Sequence, residues 1–358
     1  MRYTYNNTYD HLMKRCLDRG WTYDSYAWEV PGAPHVTPEV LCKHLPARRI
    51  VFVGDSLTQA HYISFVMALT RRTHTVGLAV QNIRAGRWRP TTACNGNLKL
   101  QAVRNDYLSL PGKPLSRQGL LKHAGKDSQW LQALNATGTI AVLNTGAHTF
   151  EQHAAKEHMH EIIARVGMLQ REVGLRVIWR NSYPGHPHCE RAERMPPLTS
   201  LDEPRARPHL VASPVPSRIN GSIGIEDLFH HSGKMLERYS GSAWGEEIYR
   251  SWHVLNATRP VIDGLAEAAG WSVLDVYTPS TLRPDAHAAK VDCLRISSCS
   301  SSLGLADDRL SSARTHAFAV WALLFGTDFC LPGPTDVWAL LLMQHLFLTI
   351  RTKNRDQG

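Results

Sequence analysis

Short apolar runs recur along the chain and end in polar residues, and longer stretches between them carry apolar positions at helical spacing. The runs predict four strands, over Arg49–Val53, Thr139–Leu143, Gly174–Arg180 and Trp271–Tyr277. The longer stretches predict helices, over Gln59–Leu69, Glu151–Val173 and Thr258–Ala269. Strands that alternate with helices form a mostly parallel sheet covered on both faces. The predicted fold class is therefore α/β, with three layers and a mostly parallel sheet.

The chain has 358 residues, 43% of them hydrophobic, which is enough to bury the core of one large domain. Residues 1–47 are aromatic-rich and irregular in pattern, and we predict a cap that a disulfide from Cys16 or Cys42 ties to the main domain. The main domain is predicted over 48–346, and a polar tail over 347–358. Within the domain, residues 192–222 are rich in Pro and Ser and predict a long surface loop.

Several features bear on the compartment and on membrane association. The apolar run Val337–Ile350 is interrupted by Gln344 and His345 and is shorter than the roughly 20 residues of a membrane span, so it predicts a buried or surface helix. The chain starts without the apolar region of a signal peptide. Seven cysteines nevertheless favour an oxidising lumen, as do four Asn-x-Ser/Thr sequons at Asn6, Asn135, Asn220 and Asn256. We expect a luminal domain whose targeting segment or membrane anchor is absent from this sequence.

Charge and motifs exclude several function classes. The net charge is +9, but the basic residues are scattered and form no nucleic-acid-binding signature, so a solvated basic surface is predicted and a nucleic-acid partner is not. The group His186-Pro187-His188-Cys189 has no partner pair at zinc-ligand spacing, so no metal is predicted. No phosphate loop or dinucleotide fingerprint is present, and no bound cofactor is expected.

Polar residues at the strand ends are the candidates for chemistry. Ser56 follows the first strand in Gly54-Asp55-Ser56, at a strand-to-helix turn where a hydroxyl and the backbone N–H groups of a helix start meet. It is predicted as a nucleophile, with helix capping as the alternative. Asn144 ends the second strand and would donate an amide N–H to an oxyanion, or be an ordinary turn residue before Gly146. His148 and His186 lie near strand ends and are candidate substrate contacts, or satisfied histidines.

An ordered set of motifs extends this interpretation: Gly54-Asp55-Ser56, Asn144-Thr145-Gly146, and Cys330-Leu331-Pro332-Gly333-Pro334 with Asp336 and Trp338. The set resembles the PC-esterase group of GDSL/SGNH proteins over about residues 16–346. It is most similar to the trichome birefringence-like polysaccharide O-acetyltransferases and their algal relatives. The Gly-Asp-Ser match alone is weak, and the ordered set that ends in the Cys-Leu-Pro-Gly motif is specific. The resemblance implies an SGNH-type, flavodoxin-like α/β/α domain in the Golgi lumen.

The resemblance also implies residue roles. Ser56 attacks an acetyl donor, which is the co-substrate, and the acetyl group then passes to a hydroxyl of a polysaccharide or glycan. Asp292 orients a histidine base, and the N–H of Ser56 and Asn144 hold the oxyanion. An oxyanion glycine would lie near Gly96, although the match from Cys94 to Leu110 is loose. An acetyl-esterase of the same fold, or a catalytically dead glycan-binding or scaffold protein, is the alternative.

The chain departs from the family at its last motif, Asp-Cys-x-His-(aromatic)-Cys-Leu-Pro-Gly. Asp292-Cys293-Leu294 matches the first half and Phe329-Cys330 begins the second, but residues 295–328 stand where the family has one histidine. Our hypothesis is a retained intron. Arg295 can be encoded CGT and Thr327-Asp328 ACA-GAC; splicing from the GT to the CAG would join C to AC and encode histidine.

The alternative is a natural insertion in an inactive relative. The intron hypothesis also removes Cys299 and leaves an even number of cysteines. If the insert is genuine, His287 is the nearest substitute base, because Asp285 stands two residues before it. Family members carry a similar stretch besides their catalytic pair, so His287 is interpreted as structural or substrate-side.

Overall fold

The computed structural model describes residues 36–71, 75, 79, 89–110, 130–145, 152–182, 258–281 and 334–355. Most of the predicted cap, the 192–222 loop and the 295–328 insert lie outside these residues. In the described parts of the chain the elements follow in this order: α1 (Pro38–His44), β1 (Arg49–Gly54), α2 (Ser56–Thr70), β2 (Thr91–Ala93), β3 (Leu98–Arg104), α3 (Trp130–Leu134), β4 (Thr139–Leu143), α4 (Gln152–Val173), β5 (Arg176–Arg180), α5 (258–268), β6 (Ser272–Leu274), α6 (Tyr277–Thr281) and α7 (Pro334–Arg355).

The strands form one six-stranded sheet in the order β2-β3-β1-β4-β5-β6. Among the described strands, β2 is antiparallel to its neighbour and the other pairs are parallel. The register pairs Gly54 with Arg104 and Val53 with Leu143, so the carboxyl ends of β3, β1 and β4 meet at one edge. The predicted α/β class with a mostly parallel sheet is confirmed.

Helices cover both faces of the sheet, because successive side chains of a strand point to opposite faces. Ile50 and Phe52 of β1 belong to one apolar cluster, which α2 and α7 complete. Val51 and Val53 belong to a second cluster, which α3, α4 and α5 complete. Helices on both faces give the predicted three layers.

The parallel strands have the order of a doubly wound sheet. Counted along the chain they are β1, β3, β4, β5 and β6, and across the sheet they run second, first, third, fourth, fifth. In such sheets the strand order reverses between the first and third strands, and ligands bind in the crevice at that point. Here the reversal lies between β1 and β4, whose carboxyl ends carry Ser56 and Asn144.

All four predicted strands are confirmed, with changes at their ends. The last is shorter than predicted, since Asp275 Oδ1 accepts from Thr278 N (3.1 Å) and α6 begins at Tyr277. The helix predicted over the apolar run Val337–Ile350 is confirmed as part of α7, which continues into the predicted tail as far as Arg355.

Sequence reasoning missed α1, β2, β3, α3 and α6. The irregular pattern assigned to the segment before residue 48 is wrong over Pro38–His44, which is helical. Thr37 Oγ1 caps this helix by accepting from Val40 N (3.3 Å), and Pro38 occupies its first turn, where no N–H is needed. The sequence Thr-Pro-Glu at 37–39 is an N-terminal helix signal that would have located α1.

A disulfide joins Cys42 of α1 to Cys94, with a Cα–Cα distance of 5.2 Å. Cys94 lies between β2 and β3 and has a left-handed backbone (φ 53°), as does Asn95 (φ 55°). The bridge therefore fastens the segment before β1 to the β2–β3 edge of the sheet. Among the described helices, none has the length and apolar character needed to cross a membrane.

Candidate active site

The turn between β1 and α2 is shaped by Asp55. Its Oδ1 accepts from Leu57 N (3.1 Å) and Thr58 N (3.0 Å), which makes Asp55 the N-cap of α2. The alternative in which Ser56 caps the helix is therefore wrong. Ser56 is the first residue of the 15-residue helix α2, so its backbone lies at the positive end of the helix dipole.

Gly54 is required by the close approach of two chain segments. A Cβ at this position would lie 2.7 Å from the carbonyl oxygen of Asn144 and would collide with Thr58 Oγ1. The neighbouring segments are fixed to β1 by backbone hydrogen bonds, from Asn144 N to Val53 O (3.0 Å) and from Asn105 N to Gly54 O (2.8 Å). Thus the turn that carries Ser56 is held against the ends of both adjacent strands.

Asn144 occupies the carboxyl end of β4 and is buried, with 1% of its surface exposed. Its Nδ2 donates to the carbonyl of Arg180 (2.9 Å) and lies 3.4 Å from Ser182 Oγ. Its Oδ1 accepts from Thr58 Oγ1 (3.4 Å). The side chain therefore links the start of α2 to the end of β5, unlike that of an exposed turn residue.

Arg180 is the residue that sequence reasoning missed at this edge. It is fully buried at the end of β5, with Nη2 3.0 Å from Thr58 Oγ1 and 3.8 Å from Asp55 Oδ1. Its guanidinium lies over the Trp338 ring at 5.0 Å. A buried cation needs a counter-charge and hydrogen-bond acceptors. The signal was an arginine ending an apolar run, where a strand covered on both faces leaves it no solvent.

Below this network His61 is buried among aromatic side chains. The His61 ring packs edge-on to Phe52 (centroids 5.3 Å apart) and Trp338 (6.0 Å). Burial, and then the charge of Arg180, hold the pKa of His61 well below its usual value, against an opposing effect of the Trp338 backbone. His61 is therefore a neutral side chain in the core and not a surface base.

The next strand end is closed by a second polar cluster. Asn181 Oδ1 accepts from Val276 N (2.8 Å) and Tyr277 N (3.0 Å), and its Nδ2 donates to Asp275 Oδ1 (3.0 Å). Asp263 accepts from Trp179 Nε1 (3.0 Å), and burial raises the pKa of Asp263, which Arg259 opposes. The cluster fastens β5 to the start of α6. Across the described part of the chain, His, Cys, Asp and Glu form no group of three or more suited to a metal ion.

On its other side the Ser56 turn borders the segment that follows β3. Thr145 Oγ1 donates to the carbonyl of Asp106 (3.1 Å), so this segment is also joined to the end of β4. Leu108, with φ 50°, is among the few non-glycine residues here with a left-handed backbone. The expectation of an oxyanion glycine near Gly96 is wrong. Gly96 precedes Leu98 at the start of β3, at the opposite edge from Ser56.

The structure thus brings together two of the predicted site residues, Ser56 and Asn144. The other predicted residues lie outside the described parts of the chain: Asp292, His287, His148 and His186. The place expected for the motif histidine, between residues 294 and 329, lies there too. No protein-family model matches the chain, and no curated protein is significantly similar to it.

Proposed function

We propose that this chain is an SGNH-type O-acetyltransferase, similar to the trichome birefringence-like proteins, that moves an acetyl group onto polysaccharide or glycan hydroxyls. The observation that carries the proposal is the shared position of Ser56 and Asn144. They lie at neighbouring strand ends, at the reversal point of a doubly wound sheet, and Thr58 is hydrogen-bonded to Asn144. A serine there has helix N–H groups beside it for an oxyanion.

The first half of the reaction is acylation of the enzyme. Ser56 Oγ bonds to the carbonyl carbon of the acetyl donor, and its proton passes to the base. The oxyanion of the tetrahedral intermediate is held by the Ser56 N–H and by Asn144, through the Nδ2 proton that is not bonded to the carbonyl of Arg180. The carbonyl re-forms, the donor's leaving group departs with the proton, and acetyl-Ser56 remains.

In the second half a glycan hydroxyl loses its proton to the base and attacks acetyl-Ser56. The acetyl ester of the glycan forms, and Ser56 regains its proton. With water as the acceptor the same acyl-enzyme releases acetate, which is the esterase alternative. The two activities share every residue of the site and differ only in the acceptor.

The base is proposed to be the histidine that joining Leu294 to Phe329 would create, oriented by Asp292. The chain as written has residues 295–328 in that place and would rely on His287, with Asp285 beside it. The joined form is the chain in which a single histidine replaces residues 295–328. On this proposal it is the active enzyme. The form that retains the insert has weak activity or none.

Two features of the described residues agree with a luminal protein. The Cys42–Cys94 disulfide is typical of oxidising compartments. Asn135 of the sequon Asn-Ala-Thr is exposed directly after α3, where a glycan would meet solvent. We propose that the activity belongs to the secretory pathway, in the Golgi lumen.

The decisive experiment looks for acetyl-Ser56. The chain as written and the joined form would each be mixed with p-nitrophenyl acetate carrying a heavy-isotope acetyl group, quenched in acid and digested. Mass spectrometry is expected to find the labelled acetyl group on the peptide that contains Ser56, in the joined form above all. Ser56→Ala should abolish the label. The matched control, Ser272→Ala, changes the first residue of β6 at the opposite edge and should keep it.

The fate of the label separates the enzyme alternatives. Adding mixed neutral and acidic oligosaccharides should move labelled acetyl onto sugar if the protein is a transferase. Release only as acetate, whatever the sugar, would establish an esterase. Absence of label on Ser56 in both forms, with glycan binding unchanged in Ser56→Ala, would overturn the enzyme proposal in favour of a binding or scaffold protein.

A further inference from the structure

We infer that Arg180 is a positioning residue, which fixes the turn carrying Ser56 against the side chain of Asn144. The effect of Arg180 on catalysis rests on the proposed function. Its contacts with the Ser56 turn and with Asn144 do not depend on that function. Arg180 lies one strand away from β4 and two from β1, and it reaches both of the elements that carry the proposed site residues.

The backbone carbonyl of Arg180 holds the side chain of Asn144. Its oxygen accepts from Asn144 Nδ2 at 2.9 Å, the shortest hydrogen bond described for that amide. The bond determines the orientation of the amide plane. It leaves Asn144 Oδ1 directed at Thr58 Oγ1, 3.4 Å away.

The side chain of Arg180 holds the start of α2. Its Nη2 donates to Thr58 Oγ1 at 3.0 Å. A threonine hydroxyl has one proton to donate, and Thr58 Oγ1 has two acceptors in reach: Asp55 Oδ1 at 3.3 Å and Asn144 Oδ1 at 3.4 Å. Because Arg180 supplies a proton to this oxygen, the hydroxyl proton is free to serve one of these acceptors. The hydroxyl is therefore the junction between cap, amide and guanidinium.

Charge makes the arrangement specific. Asp55 and Arg180 are both buried, with 1% and 0% of their surface exposed, and their nearest charged atoms are 3.8 Å apart. His61, which packs beneath from α2, is held neutral. Removing the cation would leave the Asp55 carboxylate without its counter-charge, directly before Ser56 in the chain.

Trp338 supports the guanidinium from the other side. The Arg180 guanidinium lies 5.0 Å from the ring centroid, and Trp338 Nε1 donates to Ser280 Oγ (3.0 Å). A cation over an indole face is favourable, more so when both groups are desolvated. Helix α7, which carries Trp338, thereby contributes to the position of a turn nearly three hundred residues earlier in the chain.

The test uses Ser56→Cys in the full chain, so that it does not depend on turnover. The rate of alkylation of residue 56 by iodoacetamide is measured against pH, by mass spectrometry of the peptide that contains it. Adding Arg180→Gln is expected to raise the midpoint of this profile by about one pH unit, because an uncompensated carboxylate disfavours a neighbouring thiolate. Arg176→Gln is the matched control: it removes a half-buried arginine from the other end of β5 and should leave the midpoint unchanged.

Thr58→Val provides a second test in case Arg180→Gln does not fold. It keeps both charges and nearly the same side-chain volume, and it removes only the Thr58 hydroxyl. It is expected to raise the midpoint too, by less than Arg180→Gln, because the Asp55 carboxylate then loses only the hydroxyl donor that lies 3.3 Å from its Oδ1. An unchanged profile in both folded variants would overturn the inference. If Arg180→Gln does not fold, an unchanged Thr58→Val profile overturns it alone.

Failure of the inference is distinguishable from failure of the proposed function. In the joined form with Ser56 present, Arg180→Gln is expected to lower the rate of Ser56 acetylation about tenfold per folded molecule, with KM for the donor unchanged. Acetylation that is normal in both variants would refute the positioning role and leave the proposed function standing. Shifted alkylation profiles without acetylation in any form would refute the proposed function and leave the positioning role standing.

Discussion

The two edges of the sheet are built from different chemistry. At the carboxyl edge, buried polar side chains join four strand ends: Asp55 and Thr58 after β1, Asn144 after β4, Arg180 on β5 and Asn181 between β5 and β6. At the amino edge, where the parallel strands begin, the described connections are of three kinds: a disulfide, a side-chain hydrogen bond and a short turn. They include the Cys42–Cys94 bridge, the Arg49–Gln101 side-chain bond and the left-handed Gly174 (φ 66°) before β5.

The difference shows at which edge the fold buries polar groups, at a cost in stability. Burying polar groups destabilises a protein unless each finds a partner, whereas a disulfide or a short turn restricts the unfolded chain. The carboxyl edge bears that cost in five side chains on neighbouring elements. The amino edge holds the sheet together. We expect changes at the first edge to act mainly on chemistry, and changes at the second mainly on stability.

The largest effect should come from completing the motif at the carboxyl edge. Replacing residues 295–328 by a single histidine is expected to raise the rate of Ser56 acetylation at least about 10³-fold, the order of magnitude that a triad base contributes. The rate of p-nitrophenol release per folded molecule measures it. In the joined form, Asp292→Asn should lower the rate by about 10⁴-fold if Asp292 orients the new base.

Equal rates in the joined form and in the chain as written would refute the retained-intron hypothesis. Sequencing the transcript across codons 290–335 is an independent check. Transcripts that always keep codons 295–328 would identify a natural insertion. That result would favour the alternative of a catalytically dead glycan-binding or scaffold protein.

The amino edge is tested by opening its disulfide. Cys42 and Cys94 enclose a long loop, with a sequence separation of 52, and in the chain-entropy estimate such a bridge stabilises the native state by about 4 kcal/mol. Cys42→Ala together with Cys94→Ala should lower the free energy of unfolding by this order, as measured by urea denaturation. The alkylation profile of Ser56→Cys should stay unchanged. A shifted profile would show that the two edges are coupled.

Gly54 allows a third comparison, among glycines. Gly54→Ala is expected to destabilise by about 2 kcal/mol and to slow Ser56 acetylation, because the new Cβ collides with Thr58 and Asn144. Gly174→Ala puts a Cβ into open space at a left-handed backbone and should cost about 1 kcal/mol, without a change in acetylation per folded molecule. Gly264→Ala, in α5 with open space around it, should stabilise slightly. Equal losses of stability and of acetylation rate in Gly54→Ala and Gly174→Ala would show that the close approach of Gly54 to Thr58 and Asn144 has no special role.

Most of the parallel sheet was predictable because its strands are buried on both faces and appear as continuous apolar runs. Strand β3, which lies between β1 and the edge strand β2, was not, since Lys99 and Gln101 interrupt its pattern. Gln101 is nevertheless buried, as the acceptor of a bond from Arg49. A polar residue whose partner lies on another strand cannot be recognised from its own segment.

The candidate site divides in the same way. Ser56 and Asn144 were found because each lies in the turn that follows an apolar run. Arg180 was missed because its burial depends on distant partners: Thr58 and Asp55 more than a hundred residues earlier and Trp338 more than a hundred later. Ser56 also illustrates the limit of local reasoning. Capping by Ser56 and capping by Asp55 are both compatible with the sequence, and the backbone geometry selected Asp55.

The last comparison concerns the pH dependence of stability, through His61 beneath the carboxyl edge. Because its pKa is held well below the ordinary 6.5 of the unfolded chain, protonation favours unfolding. The contribution of His61 to stability is complete above pH 6.5 and is lost as the pH falls below it, by up to about 1.4 kcal/mol per pH unit. His345 of α7, whose pKa burial also lowers, adds a contribution of the same sign.

Urea denaturation of wild type and His61→Phe from pH 7.5 to 5.0 tests this directly. Phenylalanine keeps a ring against Phe52 and Trp338 but cannot take up a proton, so the variant should lose less stability with acid than the wild type. His345→Phe serves as the comparison on α7, away from the Arg180 contact. The effect is expected to be larger at His61, which is fully buried and lies near the charge of Arg180, than at His345, which is partly exposed. An equal loss of stability with acid in the wild type and in His61→Phe would contradict the role given to His61.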